Sequence, residues 1–373
     1  MRIGFDVAKV FGPRDGIASY TVSLLEVLAV RAEQGGEFSL HLYAGDVETG
    51  PRDWDRALGH LPASAIPHPG RHPDQDELDL FHTTSFTDTG FFDGPVLFTV
   101  HDLTFLTHPE HHRSVNRAHC LRSTLRAVWQ DATLAVDSRA TADEVLRWFH
   151  VPPERMRVVY PAASPVFVAL EGAELASAEQ RLACRFGLNG PFVLTVGTLE
   201  PRKNVARLIE AYAGLDPDRR RSTPLVLVGD GGWKPEAVFT GEWPDFVRRL
   251  GRVDEPDLVA LYNAASVVAY PSLVEGFGLP VVEAMACGTP VLTSNVSSLA
   301  EVADDAAVCV DPLDVNAIRG GLEALLGDPS LRGRFREAGF RRAAGFSWEK
   351  TADQVIQIYR ERAAAAPEGT GGG

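Results

Sequence analysis

Two successive series of strand-like and helix-like segments constrain the fold of this chain more than any other feature. Short apolar runs with the length of buried parallel strands alternate with segments of helical spacing. The strand-like runs of the first series are RIGFDV, FSLHLYA, LDLFHTT, PVLFTVHD, TLAVDS and MRVVYPA. Those of the second series are PFVLTVG, PLVLVGD, FVRRLGRV, SVVAYPS, PVLTS and AAVCVDP. Such alternation predicts parallel sheets, so we expect two Rossmann-like, doubly wound α/β domains with a ligand site in the cleft between them.

The two series also set the predicted domain boundaries. A chain of 373 residues is too long for one ordinary core. We predict a first domain over residues 1–165 and a second over 190–345, with a connector between them. A final helix at about 347–363 follows the last strand of the second series and is assigned to the first domain. The Ala/Gly-rich tail, 364–373, is predicted to be disordered.

Composition excludes several classes of protein. The net charge of −14 argues against nucleic acid, or a uniformly anionic membrane, as the main partner. The four cysteines have no metal-binding spacing, which indicates a reduced, cytoplasmic chain. No secretory signal is evident, and no apolar run is long enough to span a bilayer.

Residues 271–294, PSLVEGFGLPVVEAMACGTPVLTS, contain the strongest candidate site. They read as a strand end, a glycine-bearing loop at 276–278, a helix and a returning strand. Glu275 lies in the loop and Glu283 on the helix, which Pro280 helps to start. A helix that follows a glycine loop offers amide groups and a positive dipole end to a phosphate. The alternative is an ordinary strand-to-helix turn with two solvated glutamates.

Three other strand ends carry polar residues. They are the loop around Gly16, the pair His101-Asp102, and the segment GTLEPRKN, which begins at Gly197. Arg202 and Lys203 in the last segment follow a strand and precede a helix, which favours a grip on phosphate over a merely solvated surface. The carboxyl ends of parallel strands are where α/β proteins bind ligands.

Taken in order, these motifs resemble the retaining glycosyltransferases of family 4, which have the GT-B architecture of two Rossmann-like domains. The resemblance rests on the E-x7-E motif in EGFGLPVVEAMACGTPV, on GTLEPRKN, LVGDG, LGRV and AYPS, and on HDLTFLTHPE and DSRATADEV in the first half. It covers nearly the whole chain. The segment DGIA, which contains Gly16, departs from the family because it has one glycine where two are frequent.

The resemblance implies a role for each matching residue. Glu275 contacts the transferred sugar and Glu283 binds the ribose hydroxyls, while Arg202 and Lys203 neutralise the diphosphate. His101 lies close to the donor sugar. The remaining donor-binding positions are Gly197, Leu279, the backbone amides of Gly276, Phe277 and Gly278, the backbone of Val253 beside the base, and Gly16 beside the phosphate and the acceptor.

The implied activity is transfer of a hexose from a nucleotide-diphosphate sugar to a hydroxyl of a glycan, lipid-linked or small-molecule acceptor. GDP-mannose is the first choice of donor, ahead of UDP- and dTDP-sugars, because HDLTFLTHPE resembles segments of mannosyl- and rhamnosyltransferases. The first domain is then the acceptor side and the second holds the nucleotide sugar. Two alternatives remain: a nucleotide-sugar 2-epimerase of the same architecture, and a catalytically silent partner subunit.

No metal or other cofactor is expected. No Asp-x-Asp triad sits at a strand end, and Arg202 and Lys203 can neutralise the leaving diphosphate. The cluster HPEHH at 108–112 does not lie at the end of a predicted strand and is not predicted to bind metal.

A predicted helix at 113–130 carries four arginines, at 113, 117, 122 and 126. We interpret this face as solvated. The alternative is that this face makes peripheral contact with anionic lipids at the inner face of the cytoplasmic membrane.

Overall fold

The computed structural model describes residues 1–12, 15–231, 238 and 242–365. The described chain forms two compact units. The first comprises Met1–Thr107, Ser114–Pro161 and the chain from Ser347 onward; the second comprises His108–Arg113 and Ala162–Phe346.

The first unit is built on a parallel sheet of seven strands within the described residues, in the order β3-β2-β1-β4-β5-β6-β7. Buried apolar side chains fill most of these strands, as parallel sheets covered on both faces require. The strands are β1 (Arg2–Asp6), β2 (Ser39–Tyr43), β3 (Ala65–Pro67), β4 (Leu80–Thr83), β5 (Val96–Val100), β6 (Thr133–Val136) and β7 (Met156–Val158).

Helices cover this sheet: α1 (Gly16–Gly35), α2 (Pro51–Leu58), α3 (Thr104–Thr107), α4 (Ser114–Trp129) and α5 (Arg139–Phe149). Asp15 caps α1 by accepting a hydrogen bond from the Ala18 amide at 2.8 Å. The side chain of Ser138 caps α5 in the same way, with the Thr141 amide as donor at 3.1 Å.

The second unit repeats the arrangement with six parallel strands within the described residues, in the order β10-β9-β8-β11-β12-β13. They are β8 (Val193–Val196), β9 (Leu225–Val228), β10 (Val247–Gly251), β11 (Val267–Tyr270), β12 (Val291–Ser294) and β13 (Val308–Val310). Strand order reverses between β8 and β11. Such a reversal opens a crevice at the carboxyl ends of the two strands, which is where doubly wound sheets bind ligands.

The helices of the second unit are α6 (Gly172–Phe186), α7 (Val205–Ala213), α8 (Pro217–Ser222), α9 (Glu255–Ala264), α10 (Leu279–Ala286), α11 (Ser297–Ala303), α12 (Val315–Gly327) and α13 (Pro329–Ala343). Their core includes buried residues of α7, α12 and the central strands.

The last helix, α14 (Trp348–Ala365), packs in the first unit. The Trp348 ring meets Tyr20 of α1 edge-on, with centroids 5.5 Å apart. The hydroxyl of Tyr359 lies 2.7 Å from Nδ1 of the buried His82 on β4. The predicted return of the final helix to the first domain is confirmed.

The structure differs from the sequence-based expectations in several places. The short elements β3, α2, α3 and α8 were not predicted, and the connector contains a helix, α6. Gly16, predicted to lie in a loop, is the first residue of α1, because the Asp15 cap starts the helix there. Helix α14 continues past the predicted start of the disordered tail at 364; residues 366–373 of that tail lie outside the described residues.

Among the helices that the structure describes, none is both long enough and apolar enough to cross a membrane.

Candidate active site

The loop after β8 and the loop after β11 bring three predicted site residues together. A 3₁₀ turn at Pro201–Lys203 follows β8, and Glu275 follows β11. The Arg202 carbonyl accepts a hydrogen bond from the Leu273 amide at 2.8 Å, so the two loops are joined through their backbones. The site therefore lies where the strand order reverses.

Glu275 binds both cations of this site. Its Oε2 lies 2.5 Å from Nη1 of Arg202, and its Oε1 lies 2.6 Å from Nζ of Lys203. The Tyr270 hydroxyl donates a further hydrogen bond to Oε1 at 2.9 Å. Arg202 also donates to Glu200 through Nε at 2.8 Å. Two cations and two carboxylates thus balance one another in a largely buried cluster.

The cluster fixes the ionisation of its members. Burial disfavours the charged form of Glu275, but the charges of Arg202 and Lys203 outweigh it and hold the pKa of this carboxyl at about 2. Burial and the Arg202 charge lower the pKa of Lys203, which Glu275 partly offsets. Glu275 is therefore a carboxylate at every pH near neutrality.

The glycine loop that follows Glu275 is held tightly. Ser298 donates through its hydroxyl to the carbonyls of Glu275 and Phe277, at 2.8 and 3.1 Å. Gly278 caps α10 with φ of 103°, and a Cβ there would lie 2.6 Å from Leu299 Cδ2. Only glycine fits this position without strain. Leu279 is the first residue of α10 and Pro280 the second, as predicted.

Glu283 lies on α10 and bonds to a tyrosine of α9. Its Oε2 accepts a hydrogen bond from the Tyr262 hydroxyl at 2.7 Å. Burial raises the pKa of Glu283 to about 7, although the Tyr262 bond opposes the shift. This carboxyl therefore changes charge near neutral pH, unlike Glu275.

Two further predicted positions border these loops. Gly197 directly follows β8 with φ of 136°, and a Cβ there would lie 3.4 Å from Cε of Lys203. Val253 lies in the turn between β10 and α9 and is partly buried.

His101 and Gly16 belong to the first unit, at the ends of its elements. His101 directly follows β5, and its ring bonds to the Asp137 carboxylate and the Thr84 carbonyl, at 2.7 and 2.8 Å. Gly16 is exposed, and no heavy atom lies within 4 Å of where its Cβ would be.

Some residues of the site were not predicted. Tyr270 and Tyr262 bind the two glutamates, and Asp137 binds His101. Asp137 could have been found from the sequence, because it follows β6 as His101 follows the neighbouring β5. The pairing of Val100 with Val136 sets the two residues side by side.

Within residues 1–12, 15–231, 238 and 242–365, no group of three or more His, Cys, Asp or Glu is placed to hold a metal ion.

Comparison with solved structures identifies the fold of this chain. Sucrose-phosphate synthase from Thermosynechococcus elongatus superposes with a TM-score of 0.72 at 22% identity, over 98% of this chain and 100% of the other. HepE from Anabaena, in complex with UDP and glucose, gives 0.72 at 17% identity, over 96% and 99%. WaaG, a glycosyltransferase involved in lipopolysaccharide biosynthesis, gives 0.69 at 18% identity, over 96% and 99%. The chain has the GT-B fold.

Sequence comparison assigns the family. Residues 179–342 match the model for "Glycosyl transferases group 1". The O-antigen chain mannosyltransferase B of Escherichia coli is 32% identical over 96% of this chain and 100% of its own length. The serotype-specific mannosyltransferase WbdA of the same organism is 31% identical over 61% of this chain and 28% of its own. The chain belongs to the glycosyl transferases group 1 family and is a glycosyltransferase.

Proposed function

We propose that this glycosyltransferase is a retaining, metal-independent mannosyltransferase of family 4. It transfers mannose from GDP-mannose to a hydroxyl of a glycan or lipid-linked acceptor in polysaccharide biosynthesis. Glu275 and Glu283 are the two glutamates of its E-x7-E motif.

The observation that carries this proposal is the cluster of Arg202, Lys203 and Glu275 at the reversal of strand order. Two cations after the carboxyl end of β8, beside the loop that follows β11, suit a diphosphate, which guanidinium and ammonium groups bind through charge-assisted hydrogen bonds. A carboxylate between them can accept hydrogen bonds from the hydroxyls of a sugar attached to that diphosphate. A nucleotide sugar presents these two chemical groups next to each other.

Mannose is supported as the transferred sugar by a full-length relative. The O-antigen chain mannosyltransferase B aligns over its whole length, so the likeness includes both units of this chain. GDP is the nucleotide we assign, with UDP and dTDP as the competing choices for the test below.

In the proposed step, the acceptor oxygen bonds to the anomeric carbon on the face that the diphosphate leaves. The bond between that carbon and the phosphate oxygen breaks, and the acceptor proton passes to the departing phosphate oxygen. Arg202 and Lys203 stabilise the charge that develops on the diphosphate. Glu275 stays ionised and hydrogen-bonded to both cations, so it orients the sugar and supports positive charge at the anomeric carbon.

The experiment is a transfer assay with GDP-mannose and mannose oligosaccharide acceptors, with product linkage read by NMR. We expect GDP release that depends on acceptor, an α-linked product from the α-linked donor, and full activity in EDTA. An inverted linkage contradicts retention, and loss of activity in EDTA that Mg²⁺ or Mn²⁺ restores contradicts metal independence. Conversion of a UDP-sugar to its 2-epimer without acceptor would favour the epimerase. Absence of any nucleotide release across GDP-, UDP-, dTDP- and ADP-sugars would favour a silent subunit.

A further inference from the structure

Among the described residues, both ring nitrogens of His101 bond to hydrogen-bond acceptors. Its Nδ1 lies 2.7 Å from Oδ2 of Asp137, and its Nε2 lies 2.8 Å from the carbonyl oxygen of Thr84. A backbone carbonyl cannot donate, and an ionised carboxylate cannot donate either. With Asp137 ionised, both ring nitrogens carry hydrogen, which makes the ring an imidazolium with no lone pair available.

Asp137 is committed to this one interaction. It is 5% exposed, and its other oxygen, Oδ1, has no hydrogen-bond partner among the described residues. A buried carboxylate with a single hydrogen bond is stable as an anion only beside a cation. The helix cap that Asp137 could have supplied comes from Ser138 instead. The fold therefore leaves Asp137 free to pair with His101.

Among the described residues, the charged groups that act on the pKa of His101 are carboxylates. The edge of the neutral Tyr20 ring, on α1, packs on His101 with centroids 4.8 Å apart. The adjacent Asp102 adds a second negative charge, and the end of β4 contributes only the Thr84 carbonyl. Burial lowers the pKa of His101, but Asp137, Thr84 and Asp102 outweigh burial and raise it to about 9. Burial raises the pKa of Asp137, and the His101 charge opposes that shift.

We propose that Asp137 is a positioning residue that keeps His101 an imidazolium, so that His101 contributes a fixed positive charge to the transfer reaction and never acts as the base. This inference rests on the proposed function for the reaction itself, but the charge state of His101 does not. A ring with both nitrogens protonated cannot take the proton of the acceptor hydroxyl. That proton then goes to the departing phosphate oxygen, while His101 contributes positive charge.

The proposal predicts a specific effect of Asp137→Asn. The amide oxygen can still accept from Nδ1, so the ring keeps its place, but the charge that favours the imidazolium is gone. The His101 pKa should fall by about two pH units or more, to at most the ordinary value near 6.5. Asp137→Glu restores a carboxylate and should recover part of the shift. Asp143→Asn is the matched control, because Asp143 is exposed on the same helix, α5.

The test is an NMR titration of the histidine Cε1 protons in the whole chain, with the His101 signal assigned by its loss in His101→Gln. We expect a wild-type midpoint near 9, a midpoint at or below 6.5 in Asp137→Asn, and no change in Asp143→Asn. Thermal unfolding confirms that each variant is folded, and the wild-type midpoint tests the proposal even where a variant is not. A wild-type midpoint at or below 6.5, or an Asp137→Asn midpoint equal to wild type, overturns it.

Activity provides the second readout. The alkaline limb of the kcat profile with GDP-mannose should move to lower pH in Asp137→Asn, with near-normal kcat recovered at pH 5.5. A uniform loss of kcat at every pH would indicate a merely structural role and would overturn the proposal. If no donor is turned over, the proposed function fails while the NMR titration still decides the charge state of His101.

Discussion

Nζ of Lys203 lies 2.6 Å from Oε1 of Glu275, although 72 positions of the chain separate the two residues. The contact forms because β8 and β11 are adjacent strands and each residue lies in the loop after one of them. Glu275 thus pairs with the two cations that we propose for the diphosphate. Under that proposal, donor binding shares Lys203 and Arg202 between the phosphates and this carboxylate.

Glu275→Gln should separate binding from turnover. The amide removes the negative charge that competes for Arg202 and Lys203, so we expect GDP to bind at least as tightly as to wild type. Turnover should fall by at least about 100-fold, because no carboxylate then stabilises the positive charge that develops at the anomeric carbon. Isothermal titration with GDP and a transfer assay measure the two effects. Equal losses of GDP affinity and turnover would contradict the assignment, and Glu323→Gln, exposed on α12, is the control.

Lys203→Met should weaken the binding of the nucleoside diphosphate. A charge-assisted hydrogen bond contributes about 1.5–3 kcal/mol, so the dissociation constant of GDP should rise by about 10- to 100-fold. The affinity for guanosine, which has no phosphate, should not change. Arg334→Ala removes an exposed cation of α13 and is the matched control. Unchanged GDP affinity in a folded Lys203→Met variant would exclude Lys203 from the phosphate site.

Glu283 should make donor binding dependent on pH. Its pKa is raised to about 7, so the carboxyl is neutral below that pH and a carboxylate above it. A carboxylate accepts ribose hydroxyls better than a protonated acid does. The KM for GDP-mannose should therefore rise as pH falls from 8.5 to 5.5, and Glu283→Gln should give a high KM with a flat profile.

The raised pKa of Glu283 has the opposite effect on folding stability, which falls as the pH rises. The folded state favours neutral Glu283, so its contribution is present below the ordinary pKa and lost as pH rises through about 7. The unfolding temperatures of wild type and Glu283→Gln should diverge as pH rises from the ordinary glutamate pKa of 4.5 to about 7, with the variant the more stable, and the difference should stay constant above that. A wild-type KM that is constant from pH 5.5 to 8.5 would contradict the ribose assignment.

The sequence favours a solvated face for helix α4, but the exposed Val115 and Trp129 beside its arginines lead us to predict that α4 binds anionic vesicles. Ser114–Trp129 contains no acidic residue, and its exposed face combines arginines with Val115, 77% exposed, and Trp129, 76% exposed. Asp88 lies 3.8 Å from both Arg122 and Arg126, a long distance for an ion pair. Basic and aromatic side chains on one face suit an anionic lipid interface.

Flotation with vesicles of phosphatidylglycerol and phosphatidylcholine measures this binding. We expect binding that declines with salt and weakens in the double variant Arg117→Ala, Arg122→Ala, and none to vesicles of phosphatidylcholine alone. If the wild-type protein does not bind the anionic vesicles, the prediction is wrong and the exposed face of α4 is a solvated surface.

The sequence predicted the long elements well because their apolar periodicity reflects burial in the sheets. The short elements β3 and α2 carry too few apolar residues to show a period: only Trp54 and Leu58 are buried in α2. At the candidate site, strand-end position predicted Arg202, Lys203, Glu275 and His101. Their ion pairs could not be read from the sequence, since pairing depends on which strands are neighbours, and β8 and β11 are neighbours only because strand order reverses between them.

The most direct test of the account is a thermal-shift measurement of the wild-type chain with GDP, UDP, dTDP and ADP, without added metal. A nucleotide present at 100 times its dissociation constant should stabilise the protein by about 2.7 kcal/mol. We predict the largest shift with GDP and its loss in the Lys203→Met variant. No shift with any of the four nucleotides would contradict a nucleotide-sugar site between β8 and β11.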